Sequence, residues 1–167
     1  MSAPPRAYVG MGSNLGDRAG NLLLGLRGMA GAGLSLARLS SVYETEPAGV
    51  AEEQPAFLHM VAELRGPLPA PEALLRLLLG IEHALGRTRA RPLAPRTLDL
   101  DLLLYDSEVF ETAALTLPHP RLHLRRFVLA PLAELVPDAR HPALGETFAR
   151  LLAATPERPD VRRWEPK

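Results

Sequence analysis

Apolar and polar positions along the chain sort into short strand-like runs and two longer segments at helical spacing. The run from Arg6 to Ser13 reads as a first strand; Leu22, Leu23, Leu26, Met29 and Ala30 then keep the helical period up to Gly31 and Gly33. Leu34 to Glu44 predicts a second strand, followed by a polar loop marked by glycine and proline from Glu46 to Pro55. From Phe57 to Leu64 the pattern alternates, with Leu58, Met60, Ala62 and Leu64 on a core face and Phe57, His59, Val61 and Glu63 on the other. Pro71 suits the first turn of a second helix, whose apolar stripe is Leu74, Leu75, Leu78, Ile81 and Leu85. Beyond an arginine-bearing loop lies another strand through Asp99 to Tyr105. Ser107 to Thr116 predicts a short hairpin, and Arg126 to Leu135 and Thr147 to Ala153 predict helices. The short connection near Asp106 to Glu108 favours antiparallel neighbours, so the expected class is α+β: a mainly antiparallel sheet flanked by helices.

One strand contradicts its own pattern. Pro95 to Tyr105 reads Pro-Arg-Thr-Leu-Asp-Leu-Asp-Leu-Leu-Leu-Tyr, which puts Asp99 and Asp101 on one face while Leu98, Leu100 and Leu102 point into a core. Two carboxylates on one pleat repel each other and resist desolvation unless a cation neutralises them, and a hard divalent metal fits best. The bland reading leaves both solvated on the open face of a sheet. Arg96 beside the strand and Arg87, Arg89 and Arg91 upstream favour magnesium together with phosphates. Magnesium takes one or two carboxylates plus phosphate oxygens, and arginine forks bind the oxygens that remain.

Composition narrows the choices. A chain of 167 residues is expected to form one domain, 1–167, with enough length for a core. Lysine plus arginine and aspartate plus glutamate stand at 19 each, so no global field draws the protein to nucleic acid or an anionic membrane. With no cysteine, disulfides, thiolate zinc sites and cysteine nucleophiles are excluded. No signal sequence or membrane span is legible, so a cytoplasmic protein is expected.

Other motifs divide between functional and structural readings. Gly10-Met11-Gly12-Ser13-Asn14-Leu15-Gly16 follows a strand and opens a helix, but Leu15 stands where a dinucleotide fingerprint needs its third glycine, so a tight structural turn is the plainer reading. His119 is held between Pro118 and Pro120, with Arg121, Arg125 and Arg126 close behind, a second cluster suited to phosphate. Phe57 and Phe127 are either core aromatics or walls of a pocket for a planar ring.

Gly12-Ser13-Asn14-Leu15-Gly16, Ser41-Val42-Tyr43-Glu44-Thr45, Gln54-Pro55-Ala56-Phe57-Leu58, Gly86-Arg87-Thr88-Arg89, Pro95 to Asp101 and Pro118-His119-Pro120 together resemble the 6-hydroxymethyl-7,8-dihydropterin pyrophosphokinase family, in order from about Tyr8 to Pro137. The resemblance implies a ferredoxin-like fold in three α/β/α layers. It also implies a folate-pathway enzyme that moves the β,γ-pyrophosphoryl group of ATP to the pterin hydroxymethyl oxygen and leaves AMP. Carried over by position, Asp99 and Asp101 match the holders of two magnesium ions, and Arg87 and Arg96 match arginines on the triphosphate. Glu82, Arg89, Leu102, Thr116, His119 and Arg125 fall at further ATP positions. Phe57 and Phe127 match the aromatics that sandwich the pterin, and Thr45, Glu46 and Ala48 belong to the loop that meets its edge. The partners so implied are ATP and the dihydropterin, with no nucleic acid or membrane, and a monomer is expected.

Three departures stand out. His59 occupies the place of an asparagine that hydrogen-bonds the pterin in the family, and imidazole lacks the paired geometry of an amide. The arginine loop, 90–94, is one residue short and lacks the family's usual tryptophan. Glu46 and Ala48 also differ from the common pattern. A ferredoxin-like RNA-binding module is the rival from another class, but such sheets carry an aromatic, basic strand, whereas this one carries two acids.

Overall fold

The computed structural model describes residues 3–46, 55–86, 97–156 and 159–166. In chain order the elements are β1 (Arg6–Ser13), α1 (Arg18–Gly31), β2 (Ser35–Leu39), β3 (Tyr43–Thr45), β4 (Phe57–Arg65), α2 (Pro71–Ala84), β5 (Asp99–Tyr105), β6 (Phe110–Glu111), β7 (Thr116–Leu117), α3 (Arg126–Leu135), α4 (Phe148–Ala154) and β8 (Val161–Arg163). A 3-10 turn, Leu122–Leu124, precedes α3. The order β5-β1-β4-β3-β8, with β2 also on β4, makes a six-stranded sheet in which every pairing is antiparallel. The mainly antiparallel α+β expectation therefore holds. The predicted hairpin is present as the β6–β7 pair.

Strand β1 is buried along nearly its whole length because it lies between two neighbours. In register, Gly12 stands opposite His59 on one side and Asp99 on the other, and Gly10 opposite Val61 and Asp101. The single strand expected from Leu34 to Glu44 is instead broken into β2 and β3, which run along the same edge of β4. Ser40 lies at the break. Its N–H donates to the Val61 carbonyl and its Oγ accepts the Val61 N–H, both at 2.9 Å, so the hydroxyl replaces a ladder acceptor while the backbone bends. Strand β8 was not anticipated: its three residues, Val-Arg-Arg, are too few and too exposed to show a period.

Helices lie against both faces. Val9, Met11, Leu58, Met60, Leu98, Leu100 and Leu102 pack with Leu22 and Met29 of α1 and Leu74 and Leu78 of α2. Tyr8, Val61 and Leu103 pack with Leu129 and Leu132 of α3 and Phe148 of α4. Asp17 caps α1 by accepting the Gly20 N–H at 3.0 Å. The expected stripe of α1 is corrected in part, since Leu23 is 66% exposed and Ala30 is exposed, and the buried residues are Leu22, Gly25 and Met29. Helical spacing alone undervalued glycine there. A Cβ on Gly25 would lie 2.9 Å from Met11 Cε and 3.0 Å from Leu98 Cδ2, so the bare backbone is what lets the helix approach the sheet.

A buried carboxylate ties the sheet together away from its apolar layers. Glu63 is fully buried and accepts from Tyr8 Oη at 2.7 Å, Arg38 Nη2 at 2.7 Å and Arg65 Nε at 2.8 Å, while Arg38 also donates to the Leu135 carbonyl at the end of α3. Burial alone would raise the Glu63 carboxyl, but the hydrogen bonds from Arg38 and Tyr8 and the arginine charges overcome it and hold it at about 2. A carboxyl lowered on folding stabilises above its unfolded value and loses that contribution as pH falls toward its folded value. Stability should therefore drop by on the order of 2 kcal/mol between about pH 5 and pH 2 from this group, the figure being reduced because both arginines reach solvent. Urea titrations across that range test it, and Glu63→Gln should flatten the slope.

Candidate active site

Asp99 and Asp101 open β5, half-buried, on the face opposite Leu98, Leu100 and Leu102 as the sequence pattern required. The strand beside them offers no side chain at the facing positions, because these are Gly12 and Gly10. One strand further stands His59, so a row runs Asp99, Gly12, His59, Tyr43 across the sheet. Strands lie about 4.8 Å apart, so the glycine leaves one strand's width without a side chain of its own between the carboxylate and the imidazole, and the imidazole lies over it. A Cβ at Gly12 would fall 3.2 Å from His59 Nδ1. Gly10 and Gly12 thus belong to the expected strand, where the space a Cβ would take is covered by Leu103 at 3.3 Å and His59 at 3.2 Å; in that stretch Gly16, at φ 70°, takes the left-handed conformation that the turn needs.

Phe57 and His59 share a face of β4, and Phe127 reaches the same place from the first turn of α3. The three rings form a stack. Phe57 and His59 are 5.3 Å apart at 17°, and His59 and Phe127 are 4.4 Å apart at 24°. Burial, opposed by Asp99 and assisted by Arg125, pushes the His59 imidazole down to about 3. The Arg125 guanidinium stands 5.6 Å from the Phe127 ring centre. Thr45 is buried beside this stack, paired in register with Phe57. Among the described residues, Thr45 Oγ1 and His59 Nε2 are buried polar atoms with no hydrogen-bond partner.

The remaining candidates surround β5. Leu100, Asp101, Leu102, Thr116 and His119 line an open cavity of about 260 Å3, together with Leu75 and Leu79 of α2. Leu102 is otherwise a core residue. His119 donates its backbone N–H to the Leu103 carbonyl at 2.9 Å, and its Nδ1 accepts the Arg121 N–H at 3.2 Å. Burial and the Arg125 charge, partly offset by Asp99, lower His119 to about 4, so it faces the site as a neutral ring. The Leu117–Pro118 peptide before it is cis.

Glu82 approaches the acid strand from α2. It is buried on α2 and its Oε2 accepts the Leu100 N–H at 2.6 Å, which fixes the backbone between the two aspartates. Sequence spacing gave no sign of this bond. Glu82→Ala should cost about 1–3 kcal/mol, because it strands a buried N–H, and should lower turnover more than Glu82→Gln, which keeps an acceptor. Thermal melts and rates of the two variants check this. Two further polar residues were also not foreseen in this role: Asn14 Nδ2 donates to the Pro55 carbonyl at 3.3 Å, and Arg18 Nη1 to the Ala56 carbonyl at 2.8 Å and to Glu44 Oε2 at 2.6 Å. They anchor the chain just before Phe57.

Glu46 is exposed next to Thr45. Ala48, Arg87, Arg89, Arg91, Arg96 and the short loop at 90–94 lie outside the described residues. Asp99 and Asp101 have the chemistry for magnesium, being two hard oxygen donors on one pleat beside a strand that has glycine at both facing positions. No group of three or more histidine, cysteine, aspartate and glutamate side chains suited to a metal occurs among the described residues. Such a pair fits an ion that completes its shell with water and phosphate. No described helix is long and apolar enough to cross a membrane.

Comparison with known proteins points the same way. Residues 8–137 match the family model for 7,8-dihydro-6-hydroxymethylpterin-pyrophosphokinase (HPPK). The chain is 41% identical over 162 residues to the 2-amino-4-hydroxy-6-hydroxymethyldihydropteridine pyrophosphokinase of Bacillus subtilis, covering 96% of this chain and 91% of that protein. It is 42% identical over 147 residues to the enzyme of the same name from Synechocystis, covering 87% and 74%. Among solved structures, wild-type HPPK-DHPS of Plasmodium falciparum with pteroate superposes with a TM-score of 0.71 at 13% identity, over 90% of this chain and 44% of that one. A crystal structure of HPPK-DHPS in complex with substrates gives 0.72 at 12% identity, over 92% and 43%, so the chain spans less than half of these longer proteins and the likeness is one of fold. With the family model spanning Tyr8 to Pro137 and these two relatives above 40% identity, the chain belongs to the HPPK family.

Proposed function

We propose that the protein transfers pyrophosphate from ATP to 6-hydroxymethyl-7,8-dihydropterin, giving AMP and the dihydropterin diphosphate in folate biosynthesis. The observation that carries this reading is the row across one sheet face, in which the acid pair on β5 and the Phe57–Phe127 slot are separated only by Gly12. A hydroxymethyl group on a ring in the slot would point toward the carboxylates. The chain order β1-α1-β2/β3-β4-α2-β5, with sheet order β5-β1-β4 and β2/β3 outermost, supports a ferredoxin-like arrangement with helices as layers on both faces. The protein acts as a monomer in this reading.

Phe57 and Phe127 hold the pterin by its two faces, and the buried Thr45 hydroxyl supplies a hydrogen bond to its polar edge. Asp99 and Asp101 hold two magnesium ions. When bound, these neutralise phosphate charge and acidify the attacking hydroxyl. Leu102, Thr116 and the neutral His119 line the nucleotide side, Glu82 fixes the backbone of the acid strand there, and Arg125 faces the phosphates. Arg87, Arg89 and Arg96 join them by sequence match. The pterin oxygen forms a bond to the β-phosphorus as the bond from that phosphorus to the α,β-bridging oxygen breaks. AMP leaves with the electron pair and the hydroxyl proton passes to solvent. The catalytic contribution is positioning and charge neutralisation.

Product analysis tests it. Incubation with ATP, magnesium and the reduced pterin should give AMP and a pterin diphosphate in equal amounts; ADP, or AMP formed without pterin, would refute the reading.

A further inference from the structure

Two rings that grip a planar ligand need one ring's thickness between them, and in this protein that space already holds a ring. The His59 imidazole lies 5.3 Å from Phe57 and 4.4 Å from Phe127, within about 25° of parallel to each. These are the spacings of offset stacks, so the three side chains form a filled sandwich. Nothing polar anchors the filling on its buried edge, because His59 Nε2 has no partner among the described residues. An unbonded buried nitrogen is unfavourable, and ring contact on both sides offsets it. Gly12 offers no side chain on the neighbouring strand to hold the imidazole laterally. Stacking on the two phenyl rings is the main contact of the imidazole, and another planar ring can replace it. An asparagine at this position would have no ring and could not fill the slot in this way.

We propose that His59 is an internal occupant of the pterin slot, which the substrate must displace to bind. The proposal rests on reading Phe57 and Phe127 as the pterin walls. The imidazole then sets a threshold. A ligand enters when it stacks on both phenyl rings over more area than an imidazole and also satisfies an edge group such as Thr45 Oγ1, which a bicyclic pterin does and a small single ring does not. His59 is in this sense a specificity-determining residue. Each stack displaced is worth about two- to ten-fold in a binding constant, so removing the occupant should tighten pterin binding by about ten-fold.

The test has two readouts, neither of which requires turnover. In proton–carbon NMR spectra of the free protein, the His59 ring signals should lie upfield, shifted by the two phenyl rings. Saturating 6-hydroxymethylpterin should move them toward ordinary values, while ATP alone should not. His59→Asn should bind the pterin about ten-fold more tightly than the parent protein in a fluorescence titration. Upfield His59 signals that persist in the pterin-saturated protein, or a His59→Asn protein that binds pterin no better, would overturn the occupant role while leaving the pyrophosphokinase reading in place. Failure of both proteins to bind pterin, with the free-state signals still upfield, would instead overturn the pterin reading and the occupant role with it.

Discussion

Asp99→Ala and Asp101→Ala proteins are expected to lose about a thousandfold or more in kcat while melting within a few degrees of the parent. The large kinetic effect follows from the kind of reaction. A phosphoryl-type displacement leaves the protein little covalent chemistry to perform, so removing a carboxylate that neutralises and orients the phosphates through magnesium removes most of what it contributes. The small stability effect follows from position. Both aspartates are half-buried on the site face, whereas the packing of β5 is carried by Leu98, Leu100 and Leu102 on the other face and by the pairing with β1. Separating two like charges should, if anything, relieve repulsion in the absence of magnesium. Asp99→Asn, which keeps the shape and loses the charge, should behave like Asp99→Ala. Rates of AMP release at saturating ATP, pterin and magnesium, with thermal melts alongside, decide it. Either alanine variant retaining more than about a tenth of the parent rate would remove the acid pair from the catalytic account.

Phe127→Ala should raise the KM for the pterin by about thirtyfold and leave the KM for ATP within about threefold. One face of the slot disappears with that ring. The lost stacking and apolar contact with a bicyclic ligand, less the His59 stack that the free protein loses with the same ring, come to roughly 2 kcal/mol. The Arg125 guanidinium, 5.6 Å from the same ring centre, also loses its support. The helix itself should persist, because α3 is held by Val128, Leu129, Leu132 and Ala133, all buried against the sheet and α4. Steady-state kinetics with each substrate varied in turn would show the asymmetry, and equal rises in both KM values would contradict it.

Much of this was legible in the sequence because the relevant signals are local. The face assignments of β4 and β5 follow from a period of two, and Pro71 and the helical spacing of Leu74 and Leu78 locate α2. The acid pair announced itself because carboxylates break an otherwise apolar strand. What local pattern could not convey is anything set by approach between distant segments. Gly25 is buried because α1 lies against Met11 and Leu98, which hydropathy does not register. The Glu82 carboxylate holds the Leu100 N–H from a different element, a bond that spacing along the chain does not show. The break at Ser40 depends on a hydroxyl standing in for a backbone group, and β8 exists only because β3 offers it an edge. Most consequentially, the resemblance assigned Phe57, His59 and Phe127 separate roles around one ligand, and only the three-dimensional arrangement brings the imidazole between the two phenyl rings.

Anomalous scattering from crystals grown with manganese in place of magnesium, a non-hydrolysable ATP analogue and 6-hydroxymethylpterin tests the central claim most directly. Manganese peaks should appear within about 2.2 Å of carboxylate oxygens of both Asp99 and Asp101 and of the phosphate oxygens, with the pterin between Phe57 and Phe127 and its hydroxymethyl group directed at the metal. Metal bound to the phosphates without either aspartate, or pterin seated outside the Phe57–Phe127 slot, would contradict it.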